Sequence, residues 1–146
     1  MEKGIKAYNV RVYGILFSEE RKLLVSREEM HGRSFTKFPG GGHEFGESLI
    51  DGLKREFMEE LNIELDSVEH FYTTDFFQVS AFNSQEQLIS VYYLVNSKQV
   101  NKIKDGMNAV DNPGNTFYWK KMSELNETSV TFPVDKLVLQ KLKVEN

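Results

Sequence analysis

The chain has 146 residues, 40% of them hydrophobic and 27% charged, and it contains no cysteine. That composition is globular and excludes a fibrous or disordered chain, a disulfide scaffold and thiolate metal centres. No apolar run approaches the ~18–20 residues that a membrane-spanning helix needs. The segment Met1–Lys6 is polar and lacks the apolar centre of a signal peptide, so the expectation is one cytoplasmic domain over residues 1–146, away from membranes. The net charge is −4, yet residues 41–63 alone hold six acids and two bases, and the other 123 residues balance. No basic run is present, which argues against nucleic acid as a partner.

Taken in chain order, Ile5–Phe17 is rich in Val, Ile, Tyr and Phe and predicts a strand. Ser18–Arg21 reads as a turn and Lys22–Arg27 as a second strand, so the two are expected to pair as a hairpin. Phe35–Phe38 is a short extended piece stopped by Pro39, and Gly40, Gly41 and Gly42 predict a loop. Ser48–Leu61 is the clearest helix: Ser48 and Asp51 sit at capping-box spacing. Ile50, Leu53, Phe57 and Leu61 then form one apolar stripe, and Asn62 suits a left-handed helix end. Val68–Phe82 reads as a strand, Asn83–Glu86 as a turn, and Gln87–Val95 as a strand buried on both faces. Residues 96–115 form a long unpatterned loop, of a kind that is more often functional than idle. Thr116–Trp119 is a short strand, and residues 133–144, opened by Pro133, predict a closing helix. This mixture means an α/β or α+β sandwich.

On the 48–61 helix, at about 100° per residue, Glu56, Glu59 and Glu60 share an arc of about 100° away from the apolar stripe. Like charges at such spacings repel unless solvated or compensated. Arg55 compensates one of them. Solvent, or a hard divalent cation with its preference for oxygen ligands, accounts for the others.

The spacing with the glycine loop is the sharper signal. The sequence reads Gly41, five residues, Glu47, seven residues, Arg55-Glu56-Phe57-Met58-Glu59-Glu60-Leu61-Asn62-Ile63. It resembles the Nudix box over residues 41–63, with Gly41, Glu47, Arg55, Glu56, Glu59 and Glu60 at its strict positions. At about 1 in 15 per residue type, six such matches arise by chance roughly once in 10⁷ windows. Asn62 replaces the usual final glycine, and Phe57 is bulkier than usual.

The resemblance implies an α/β/α sandwich with a mixed β-sheet, the box helix on one side and a C-terminal helix. It implies a pyrophosphohydrolase that uses Mg²⁺ or Mn²⁺ and water to cleave a nucleoside diphosphate linked to another moiety, such as a nucleotide sugar or a nucleoside triphosphate. The competing reading is a nucleotide-binding or regulatory module of the same fold without hydrolysis. The partner is a small nucleotide in either case, and a homodimer is compatible with both. By position, the resemblance makes Glu56, Glu59 and Glu60 catalytic residues and metal ligands, with the Gly41 carbonyl a further ligand. It makes Glu47 and Arg55 an orienting pair. The general base is Glu56 or an acid of the long loop, Asp105 or Asp111. Arg27, Arg33 and Lys37 precede the glycine loop and are candidates for substrate phosphates.

Overall fold

The computed structural model describes residues 4–145. The chain runs through β1 (Ala7–Leu16), β2 (Lys22–Met30), β3 (Arg33–Lys37), β4 (Gly40–Gly42), α1 (Leu49–Leu61), β5 (Ser67–Thr73), β6 (Glu86–Asn96), β7 (Met107–Asn108), β8 (Asn115–Lys121) and α2 (Pro133–Glu145). One sheet has the order β4-β1-β6-β5 and the other β3-β2-β8-β7. β1 and β6 are parallel, in register from Ala7 opposite Glu86 to Leu16 opposite Val95. Parallel neighbours need a long crossover, and here α1 lies within that connection.

The alternation along β1 sets the layers. Val12 and Leu16 join Leu53, Phe57 and Leu61 of α1 in one core. Tyr13 and Ile15 join Val134, Val138, Leu139 and Leu142 of α2 in a second core. β6 does the same, with Val91, Tyr93 and Val95 toward α1 and Tyr92 toward α2. The result is the α/β/α sandwich that the box resemblance implies.

Three local expectations are corrected. β1 and β2 are not a hairpin: they meet only at the single bridge Phe17–Leu23, and β2 pairs with β3 and β8 instead. The turn, with Arg21 left-handed at φ 65°, hands the chain from one sheet to the other. Gly40–Gly42 is not a free loop but a short strand, antiparallel to β1. Glycine is what permits it: at Gly40, with φ 148°, a Cβ would fall 2.1 Å from the Val12 carbonyl oxygen. β5 also ends early, at Thr73, and residues 74–85 return to β6 through the bridge Val79–Gln87.

The helix expectation stands. The Ser48 hydroxyl accepts the Asp51 amide at 3.0 Å, and Asn62 closes α1 in the left-handed conformation with φ 54°. Ile50, placed on the apolar stripe, is 38% exposed at the first turn, whereas Leu53, Phe57 and Leu61 are buried. The bulk of Phe57 is absorbed by Gly14, where a Cβ would stand 2.6 Å from the Phe57 ring.

Candidate active site

The charged segment folds into one compact constellation around Arg55. Its guanidinium donates through Nε and Nη2 to the two carboxylate oxygens of Glu47, each at 2.9 Å, and through Nη2 to the Gly42 carbonyl at 3.0 Å. Nη1 reaches Glu56 at 3.1 Å and Glu59 at 3.2 Å. A bidentate fork of this kind is strong and directional, and it ties the glycine strand to the helix. The Arg55 donation holds the Glu47 carboxyl down at about 2. Glu47 also accepts the Glu44 amide at 3.0 Å, and its carbonyl lies 2.6 Å from the His43 ring nitrogen.

Two glycines make room for these acids. A Cβ on Gly41 would sit 2.5 Å from a Glu56 carboxylate oxygen, and one on Gly52 would sit 2.6 Å from Glu47. Glu56 is thus pressed against the backbone of β4. Glu60 faces Glu56, and its carboxyl is pushed up to about 8 by burial and by the charges of Glu56 and Asp111, with Lys37 pulling the other way. Glu59 lies further out, with its side chain 46% exposed. Among the described residues no three acidic or histidine side chains are gathered closely enough to hold a metal ion on their own.

The remaining sequence candidates divide. Lys37 is buried at 7% exposure and acts on both Glu60 and Asp135. Arg27 and Arg33 lie on the outer surface: Arg27 donates to Ser34 at 2.6 Å and pairs with Glu29, and Arg33 stacks over Phe35 at 5.4 Å. Asp111 is exposed beside the end of α1, where the neighbouring Val110 amide donates to the Glu60 carbonyl at 2.9 Å. Asp105 lies elsewhere in the same loop and accepts the Trp119 amide at 2.8 Å, stabilising its own turn.

Sequence reasoning missed Arg11, Gly52 and Asp135. Arg11 donates to the Tyr13 hydroxyl at 2.8 Å and feels the charges of Glu56 and Glu28. Its signal was available, a cation on a strand of inward apolar residues. Asp135 is buried at 3% exposure. It looked like an ordinary first-turn acid, favoured by the helix dipole, and nothing in its spacing sets it apart.

The NUDIX domain family profile matches residues 7–142, and the chain belongs to that family, whose hydrolases act on phosphorus-containing anhydrides. No curated protein matches it. Solved structures share the fold at low identity. A MutT structure from work on the Aliivibrio salmonicida and Vibrio cholerae proteins is 23% identical, with a TM-score of 0.68 over 95% of this chain and 99% of that one. A MutT Nudix hydrolase from Burkholderia pseudomallei is 17% identical, with a TM-score of 0.70 over 94% and 99%. The E. coli ORF135 protein is 19% identical, with a TM-score of 0.69 over 99% and 93%.

Proposed function

We propose that the protein is a Mg²⁺- or Mn²⁺-dependent pyrophosphohydrolase of a nucleoside diphosphate linked to another moiety. The observation that carries this reading is the pair Glu56 and Glu60: Glu56 is packed against a Gly41 backbone that any side chain would crowd, and Glu60 is hydrogen-bonded to Glu56. Two carboxylates so close hold one proton more tightly than either would alone, and a divalent cation relieves the same repulsion. The donors are all oxygen, as Mg²⁺ prefers. Such ions take one or two carboxylates together with waters and substrate phosphates, not an all-protein cage. Glu56 and Glu60, with the Gly41 carbonyl, would hold the ion, and Glu59 completes the set from the rim. Once bound, the ion neutralises phosphate charge and makes its water more acidic.

The chain's own groups do the rest. Arg55 fixes Glu47 and the glycine strand and limits the motion of Glu56. Lys37 and Arg11 bind the anionic phosphates from the sheet side. Glu56 is the first candidate for general base and Asp111 the second. Asp105 is committed to the Trp119 amide.

The test is Mg²⁺-dependent release of a nucleoside monophosphate from a panel of nucleotide sugars, nucleoside triphosphates and dinucleoside polyphosphates. Activity is expected to need the metal and to be lost in Glu60→Gln with the fold retained. Full activity in Glu60→Gln would overturn the metal assignment.

A further inference from the structure

Between the sheets lies a cavity of about 250 Å³ with Arg11, Tyr13, Lys37, Tyr92 and Asp135 in its wall. Arg11 is half-buried there, and its Nε donates to the Tyr13 hydroxyl at 2.8 Å. Among the described residues, Nη1 and Nη2 have no hydrogen-bond acceptor and no carboxylate partner. Glu56 and Glu28 act on the guanidinium by charge without touching it. A guanidinium carries its donors in one rigid fork, and here only the Nε end is used. The position of the other end is set by β4: Nη1 lies 3.6 Å from where a Cβ on Gly42 would stand. The Cβ positions of Gly41 and Gly42 point to opposite faces of that strand, and the one on Gly41 meets Glu56. Arg11 and Glu56 therefore flank β4 from its two faces, and β4 is the edge of its sheet. A ligand lying along that edge can touch both.

Resting on the hydrolase reading, we infer that Tyr13 is a positioning residue for that reaction: its hydroxyl holds Arg11 so that Nη1 and Nη2 meet the substrate's pyrophosphate at Gly42, across β4 from the metal-binding acids. The Tyr13 ring cannot follow a moving guanidinium. It is 8% exposed, stacks on Tyr92 at 5.0 Å, and lies against Gly40, where a Cβ would stand 2.9 Å from its Cδ1. Tyr92 is held in turn by its hydrogen bond to Asp135. Arg11 and Tyr13 share one face of β1, with the guanidinium carbon 5.8 Å from the Tyr13 ring centroid. A hydroxyl on a fixed ring thus occupies Nε, the nitrogen outside the terminal pair, and leaves Nη1 and Nη2 to act together. Paired terminal nitrogens match two oxygens of one phosphate. An arginine held this way before the ligand arrives loses less rotamer freedom on binding. Tyr13 itself stays behind Arg11 and acts through it.

The test is a double-mutant cycle read by calorimetry, with inorganic pyrophosphate titrated into the full chain at millimolar Mg²⁺. Arg11→Met is expected to weaken binding about 10–100-fold, the scale of hydrogen bonds to a charged group. Tyr13→Phe keeps the ring stack and loses only the acceptor. It is expected to weaken binding about 3–10-fold, the scale of one long side chain that must be immobilised on binding. In the Arg11→Met background the same change is expected to alter affinity less than about 2-fold, because it acts through Arg11. A tyrosine with a structural role alone would give equal losses in both backgrounds. Arg11→Lys, which keeps the charge but has no Nε, closes the same cycle if Arg11→Met does not fold. Unchanged affinity in Tyr13→Phe, equal losses with and without Arg11, or no pyrophosphate binding to the unmodified chain at millimolar concentration would each overturn the inference. The two readings fail separately. Hydrolysis of the nucleotide panel with no coupling between Tyr13 and Arg11 removes this one alone, and coupling with no hydrolysis removes the other alone.

Discussion

The two helices hold their carboxylates in opposite ways. On α1, a single guanidinium serves Glu47, Glu56 and Glu59 at the protein surface, and the Glu47 carboxyl falls to about 2. On α2, Asp135 is buried with a tyrosine hydroxyl as its hydrogen-bond donor, and burial raises its carboxyl to about 6 against the pull of Lys37 and Arg11. The first arrangement lowers the cost of charge and stabilises the fold. The second keeps a charge where the fold would be better without it, as ligand sites often do. Glu60 stands between the two, beside Arg55's cluster but pushed up to about 8.

The largest effect that sharpens this contrast is expected at Glu60. Glu60→Gln should lower kcat about 10²–10³-fold, the scale of losing several kcal/mol of charge stabilisation. It should leave the metal-free fold no less stable. The sign follows from its raised folded value. In chelator, the wild type should lose stability as pH rises from about 4.5 through about 8, and Glu60→Gln should flatten that slope in a melting series. A wild-type curve that rises over this window would break the comparison.

Arg55→Ala comes next. It strands several half-buried acids, so a loss of about 1–3 kcal/mol is expected in urea unfolding, below a fully buried pair because water still reaches the guanidinium. Asp135→Asn is expected to go the other way. A carboxyl raised to about 6 stabilises the fold when protonated and loses that contribution as pH rises through 6. The variant should therefore melt higher than wild type at pH 8, by about 1–2 kcal/mol, with no advantage below pH 4. A lower melting point at pH 8 would place Asp135 in the same class as Glu47. The smallest effect is expected at Asn62→Ala, about 1 kcal/mol of destabilisation from a left-handed residue without asparagine's tolerance, read as a lower Tm.

The legible and illegible parts of the site follow the same division. Gly41, Glu47, Arg55, Glu56, Glu59 and Glu60 lie within 20 residues, so one loop and one helix bring them together and their spacing carries the geometry. The helix, its Ser48 cap and its Asn62 end were legible for that reason. β6 was legible as a strand buried on both faces, because its apolar run had no polar alternation to hide behind. The pairing of β1 was not. Its partner β6 lies some eighty residues away, and an adjacent strand suggested a hairpin. Asp105 and Asp111 looked alike in an unpatterned loop. Only the fold turns one to the Trp119 amide and sets the other beside Glu60. Asp135 became visible as a buried acid only when α2 closed over Tyr92.

The strict alternation of β1 carries a consequence for how such a chain can diversify. Arg11, Tyr13 and Ile15 look toward α2, and Val12 and Leu16 look toward α1. A one-residue insertion in this strand would exchange its two faces. It would thrust Arg11 into the packing under α1 and strip the opposite cavity of this one of its two cations, leaving Lys37, in a single event. Change in β1 is thereby restricted to substitutions. Novelty in substrate choice has to come from the peripheral connections, such as residues 74–85 and the entrance to α2, whose length and sequence are not read from both sides at once.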